Sequence, residues 1–142
     1  MSLEFDEERA DKLSREVCEI MAEAANPTDW LRIELVYLAV GAVTEKNLFG
    51  VWRHETRPIE IVPAKIEAPL QELRRMMYSP GAGTWFLTRY YLEPDMTSTV
   101  VYDFDYDPKF KTDLNPSEWR RELDQFPRDP QYLPKWLEEC AA

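Results

Sequence analysis

The sequence predicts an α+β fold: a single domain whose antiparallel β-sheet is packed by an N-terminal helix, a middle helix and C-terminal helices. Three observations carry this. Segments with apolar residues three and four apart are interspersed with segments of period two. The last two strand-like segments are separated by only a short turn, as in a hairpin. No repeat, low-complexity linker or second core divides residues 1–142.

The first helix is read from Ala10, Leu13, Val17, Ile20, Met21 and Ala24, which share one helical face. Acidic residues crowd its first turn, where the helix dipole favours them, and Asn26-Pro27 ends it. WLRIELVYLAV, Trp30 to Val40, alternates and then turns uniformly apolar, as a central strand covered on both faces does. Thr44 to Asn47 is polar and is expected to form a turn before a second strand in LFGVWRHE. Ile59, Ile61 and Val62 add a short third piece.

Ile66, Leu70, Leu73 and Met77 give the middle helix, with Pro63 in its first turn. Pro69 removes a backbone donor, so it kinks this helix or marks its true start. Gly83 to Pro94 is dense in aromatic and β-branched residues and reads as a strand. Pro94-Asp95-Met96 turns the chain into TSTVVYDFDY, the other arm of a hairpin. Asn115-Pro116-Ser117 starts a helix with Pro just inside its end, and Trp119, Leu123 and Phe126 form the apolar side. A Pro-punctuated tail then anchors Trp136 and Leu137.

Composition narrows the function classes. A chain of 142 residues with 44% hydrophobic content buries about 70% of its unfolded surface, enough for its own core. The start, MSLEFDEERADKL, lacks the basic-then-apolar order of a signal peptide, and no apolar run reaches the length of a membrane span. Cys18 and Cys140 have neither metal nor redox spacing and are expected to be reduced thiols of a cytoplasmic protein. The net charge is −10, with 17 basic residues against 27 acidic ones. Such a surface disfavours nucleic acid and anionic membranes as partners and suits a basic protein. Acidity is also common in soluble proteins with no such partner.

VVYDFDYDPKF, Val100 to Phe110, sets three aspartates among aromatics. Period two puts Val100, Tyr102, Phe104 and Tyr106 on one face and Asp103, Asp105 and Asp107 on the other. A calcium loop would need Gly and Glu where Pro108 and Leu114 stand, so an EF-hand is excluded. A looser Mg²⁺ site competes with the commonplace reading of aspartates on a solvated strand face, and no metal or cofactor is assigned. His54 is the only histidine, which excludes a multi-histidine metal site within one chain. Neither a nucleophile motif nor a Gly-rich phosphate loop occurs, so no catalytic residue is assigned and no enzyme is expected. Trp52, Trp85, Tyr90, Tyr91, Trp119 and Trp136 are mostly core, with protein recognition as the competing use.

The order of elements resembles the YezG-like antitoxin or immunity proteins, bacterial proteins that neutralise polymorphic toxins. Its carriers are ADKLSREVCEIMAEA, WLRIELVYLAV and, above all, GTWFLTRYYLEPDMTSTVVYDFDYDP with its acidic aromatic end Phe104 to Asp107. The tail FPRDPQYLPKWL resembles the Pro-rich endings of actinobacterial immunity proteins, including some thought to block NAD-degrading toxins. The resemblance spans roughly residues 8 to 137, with Pro69 and the loop Pro58 to Pro63 departing from it.

It implies a non-enzymatic protein that binds a cognate toxin, a nuclease or an NAD-degrading enzyme, and occludes its active site. Asp103, Asp105 and Asp107, with Arg89 and Tyr91 on the paired strand, are the expected partner-binding residues. The alternative from another class is a ligand-binding domain or enzyme that uses His54, Glu55 and surrounding aromatics as a pocket.

Overall fold

Asp6 starts the first helix by accepting a hydrogen bond from the Arg9 backbone N–H at 3.0 Å, and Glu7 and Glu8 follow in the first turn. This helix, α1 (Glu7–Ala24), buries Ala10, Leu13, Val17, Ile20 and Met21, the stripe its spacing predicts. The computed structural model describes residues 5–142; Met1–Glu4, which open the segment read above for a leader, lie outside it.

Five antiparallel strands follow: β1 (Arg32–Val40), β2 (Val43–Val51), β3 (Thr56–Pro58), β4 (Leu87–Leu92) and β5 (Ser98–Asp103). Their order across the sheet is β3-β2-β1-β4-β5, with the apolar β1 in the centre. Between β3 and β4 lies α2 (Glu67–Met76); α3 (Pro116–Gln125) and α4 (Lys135–Cys140) close the chain. The fold is therefore α+β, with helices on an antiparallel sheet, and α1 packs with α2 over one sheet face. Ile33, Leu35, Tyr37, Leu48, Tyr90 and Leu92 point into that layer.

Two local expectations are corrected, and the alternative left open at Pro69 is decided. Thr44 to Asn47 is not a turn but lies inside β2; the turn is Gly41-Ala42. Its polar side chains serve covering elements instead of water. Thr44 and Lys46 donate to Glu67 of α2, while Glu45 and Asn47 hold Lys111. The third strand is Thr56–Pro58; Ile59 adds one bond to Leu48, and Ile61 is 84% exposed. Pro69 sits in the first turn of α2, where its missing N–H costs least, so it marks a start and makes no mid-helix kink.

The aromatic surplus is mostly packing. Trp85 and Tyr90 are fully buried. Phe86, Trp119 and Trp136 form an edge-to-face triangle with centroids 5.6–6.4 Å apart, the heart of a second cluster with Val40 and Leu137. Trp52 lies on Gly50, where any Cβ would stand 2.3 Å from the ring, and the Arg57 guanidinium lies over the ring 4.4 Å from its centre.

The two layers meet at a buried ion pair. Arg74 of α2 donates to Glu122 of α3 at 2.5 Å, with both side chains almost wholly buried. Arg74 Nε also donates to the Trp85 carbonyl at 2.8 Å, and the Thr84 hydroxyl donates to the Arg74 carbonyl at 2.6 Å. The second Glu122 oxygen accepts the Gly41 N–H at 3.0 Å, while Glu118, one turn earlier, accepts the Ala42 N–H at 2.9 Å. Gly41 adopts φ +59°, and a Cβ there would press on the Glu118 carbonyl at 2.6 Å. The β1–β2 turn therefore requires glycine twice over, for conformation and for clearance.

Removing one partner of such a pair strands a buried charge. Glu122→Ala is expected to lower unfolding free energy by about 3–5 kcal/mol in urea denaturation. The double variant Arg74→Met/Glu122→Leu should recover most of that loss.

Stability should also fall in alkali. Burial raises the Tyr37 phenol to about 12, against the Gln71 amide donor, and raises Tyr90 further, with Ser14 its hydroxyl partner at 3.1 Å. Burial likewise raises the Cys18 thiol. In each case the folded state favours the neutral form, so stability is complete below the ordinary pKa and declines as pH rises through the folded one. Urea midpoints should hold to about pH 8.5 and fall increasingly steeply above pH 10. Tyr37→Phe should make that fall shallower.

Candidate functional site: the open face of the sheet

Because side chains alternate, the register fixes the face that α1 and α2 leave uncovered. Two rows cross it. Asn47, Val36, Arg89 and Val101 form one; Phe49, Glu34, Tyr91 and Thr99 form the next. Arg89, Thr99 and Val101 are exposed, Val101 by 45%, and the other five are half-buried. At the end of the face nearer Val40, the C-terminal segment closes over the sheet. The Lys111 N–H and ammonium reach Glu45 and Asn47 at 3.0 and 2.9 Å, and α3 packs against β1. Beyond that closure the face is open, with Val36, Phe49, Tyr91 and Val101 as apolar area among the charges of Arg32, Glu34 and Arg89.

Arg89, Tyr91 and Asp103 of the expected partner-binding set share this face. Arg89 is paired with Val101, Tyr91 with Thr99, and Leu87 with Asp103. Among the described residues, Arg89 has no hydrogen-bonding or ionic partner, which leaves its guanidinium available. Arg32 lies 3.9 Å from Glu34, at the limit of an ion pair.

Asp105 and Asp107 are not on the strand. The regular alternation stops at Asp103, whose carboxylate accepts the N–H groups of Asp105 and Tyr106 at 3.0 and 3.1 Å. This turn bends the chain away from the sheet. Tyr106, expected to share the buried face, is 74% exposed as a result. Tyr102 and Phe104 are half-buried against the core, Asp103 is half-buried instead of exposed, and Asp105 is exposed. Asp107 builds a second turn by accepting the Lys109 N–H at 2.9 Å.

Arg128 and Trp136 hold this bent segment. Arg128 donates to the carbonyls of Thr84, Phe104 and Tyr132 at 2.8–3.1 Å and stacks over Phe86 at 4.8 Å. Burial pulls its guanidinium below the usual arginine value, while the charge of Asp105 acts in the opposite direction. The Trp136 indole donates to the Asp105 carbonyl at 2.9 Å. Four of these five contacts use backbone carbonyls, so no sequence motif announces them.

The residues of the alternative pocket are not brought together. His54 and Glu55 occupy the exposed β2–β3 turn, where Glu55 accepts from Arg57 at 2.9 Å. Trp52 beside them turns its indole N–H to the Pro27 carbonyl at 2.9 Å. Among the described residues, no group of three or more His, Cys, Asp or Glu side chains is arranged to hold a metal ion. No helix among them is long and apolar enough to cross a membrane.

No protein-family model matches the chain, and no curated protein matches it in sequence.

Sequence reasoning missed Arg32, Val36, Phe49 and Val101 as members of this face. The signal existed in the alternation of Arg32, Glu34 and Val36 with Ile33 and Leu35, but it needed the strand order to be read across. Asp103→Ala should cost about 1 kcal/mol in urea denaturation, because two N–H groups lose their acceptor. Asp103→Asn keeps an acceptor oxygen and should cost markedly less. Equal costs would show that charge, not turn geometry, is what Asp103 supplies.

Proposed function

We propose that this chain is a non-enzymatic immunity protein that binds a cognate bacterial toxin domain and covers its active site. The observation that carries the reading is the open sheet face, where Tyr91, Val101 and Phe49 offer apolar area around Arg89, which is unpaired among the described residues. Tyrosine and arginine set in an apolar field are the residue types that dominate protein-binding energies.

The charge of the whole chain supports a basic partner. At −10, the protein attracts a cationic surface such as the groove of a nuclease, and opposite fields speed encounter. Asp103 at the margin of the face, with exposed Asp105 beyond it, places carboxylates where such a partner would approach. The likeness of element order to YezG-like immunity proteins points the same way. A cytoplasmic site of action follows from this role, since a toxin that enters a cell is neutralised there.

The test is to look for a toxin domain encoded beside this gene and to follow its binding by stopped flow; a neighbourhood without one counts against the reading. Association should slow with salt, because exposed charges are screened over about 8 Å at physiological ionic strength. Asp103→Asn/Asp105→Asn should reduce the association rate and flatten its salt dependence with the fold intact. Tyr91→Ala should act mainly on dissociation, weakening affinity by roughly thirtyfold if it is an anchor worth about 2 kcal/mol. Unchanged kinetics in both variants would remove this face from the mechanism.

A further inference from the structure

The two edges of the sheet are treated differently. The β3 edge has three residues, ends in Pro58 and carries Arg57, the features that keep edges from pairing. The β5 edge has six residues, with no proline, lysine or bulge, and Thr99, Val100 and Val101 are all β-branched. From Thr97 to Tyr102 it bears no charge.

Its unused hydrogen-bonding groups can be assigned. The carbonyls of Thr97, Val101 and Asp103 turn towards β4, accepting from Glu93, the Thr88 hydroxyl and Phe86. Backbone groups alternate in direction along an antiparallel strand. Those of Ser98, Val100 and Tyr102 therefore point away from the sheet, and among the described residues no other strand pairs there.

We propose that this edge pairs with the same edge of a second copy of the chain, antiparallel about Val100, joining two five-stranded sheets into one. The symmetric register sets Val100 against Val100 of the second copy, Ser98 against Tyr102, and Thr99 against Val101. Asp103 then meets Thr97, so no carboxylate opposes a carboxylate along the seam. Each outward backbone group finds its complement, and β-branched side chains meet across the strands on both sides. A charged peptide strand would find only Asp103, at one end, to answer it. Self-pairing does not depend on the toxin-binding reading of the open face.

Sedimentation velocity on the full chain, across roughly 1 µM to 1 mM, tests this. A monomer–dimer equilibrium is expected, strengthening as salt rises, because two copies of charge −10 repel through solvent. That salt response is opposite in sign to the one expected for toxin binding, so the two readings fail separately. Ser98→Glu and Val101→Glu change exposed side chains on opposite faces of β5, and circular dichroism should show both folded. Each should weaken the dimer by at least about tenfold, since each replaces a neutral cross-strand contact, Ser98 with Tyr102 or Val101 with Thr99, by one that desolvates a glutamate at the seam, twice per dimer. A dimer weakened by only one of the two forms through a face, not the edge, and overturns the proposal. A dimer weakened by neither, or a monomer throughout the range in high salt, overturns it as well.

Discussion

Everything that distinguishes this molecule from a plain sheet with helices on one side depends on Arg74 meeting Glu122. A buried guanidinium and carboxylate attract strongly but lose hydration, so the pair survives only with its remaining valences filled. They are filled by the backbone: Trp85 and Thr84 around Arg74, Gly41 on Glu122. The pair thereby fixes α3 against α2, the β1–β2 turn and the chain leading into β4. With Glu118 one turn away, α3 grips both N–H groups of the Gly41-Ala42 turn.

That constraint determines where the open face ends. With α3 held at the Val40 end of the sheet, Trp119 completes the triangle with Phe86 and Trp136, and α4 follows through Leu137. Arg128 and Trp136 then hold the bent segment after β5, so Asp105 projects past the sheet instead of lying along it. The aspartates of VVYDFDYDPKF are first of all turn builders: Asp103 and Asp107 spend oxygens on backbone N–H groups. Their charge still lies at the rim of an apolar face. A single segment thus ends a strand and sets the field beside the surface on which binding is proposed.

Periodicity made the main elements legible. The α1 stripe, the apolar second half of β1, the β4–β5 hairpin and the Asn115-Pro116 helix start all follow from local rules, and the structure has them. The errors have physical causes. Thr44 to Asn47 looked like a turn because its polar residues answer partners distant in sequence, Glu67 and Lys111. Tyr106 looked buried because the alternation runs on in sequence after the Asp103 turn has broken it in space. The buried Glu122 was hidden among many solvated acids, since nothing local marks which carboxylate will meet Arg74. Half of the candidate site was legible for the same reason: Arg89, Tyr91 and Asp103 needed only one hairpin, whereas Val36 and Phe49 needed the order of the sheet.

The central claim is that the open face, not the helical layer, receives the partner. Methyl-labelled NMR of the protein with and without its proposed toxin partner addresses this most directly. The account predicts large shifts at the methyls of Val36 and Val101, with those of Leu13 and Val17 on the buried side of α1 and Leu70 on that of α2 unmoved. Shifts confined to methyls in or beneath the helical layer, with Val36 and Val101 unchanged, would contradict it.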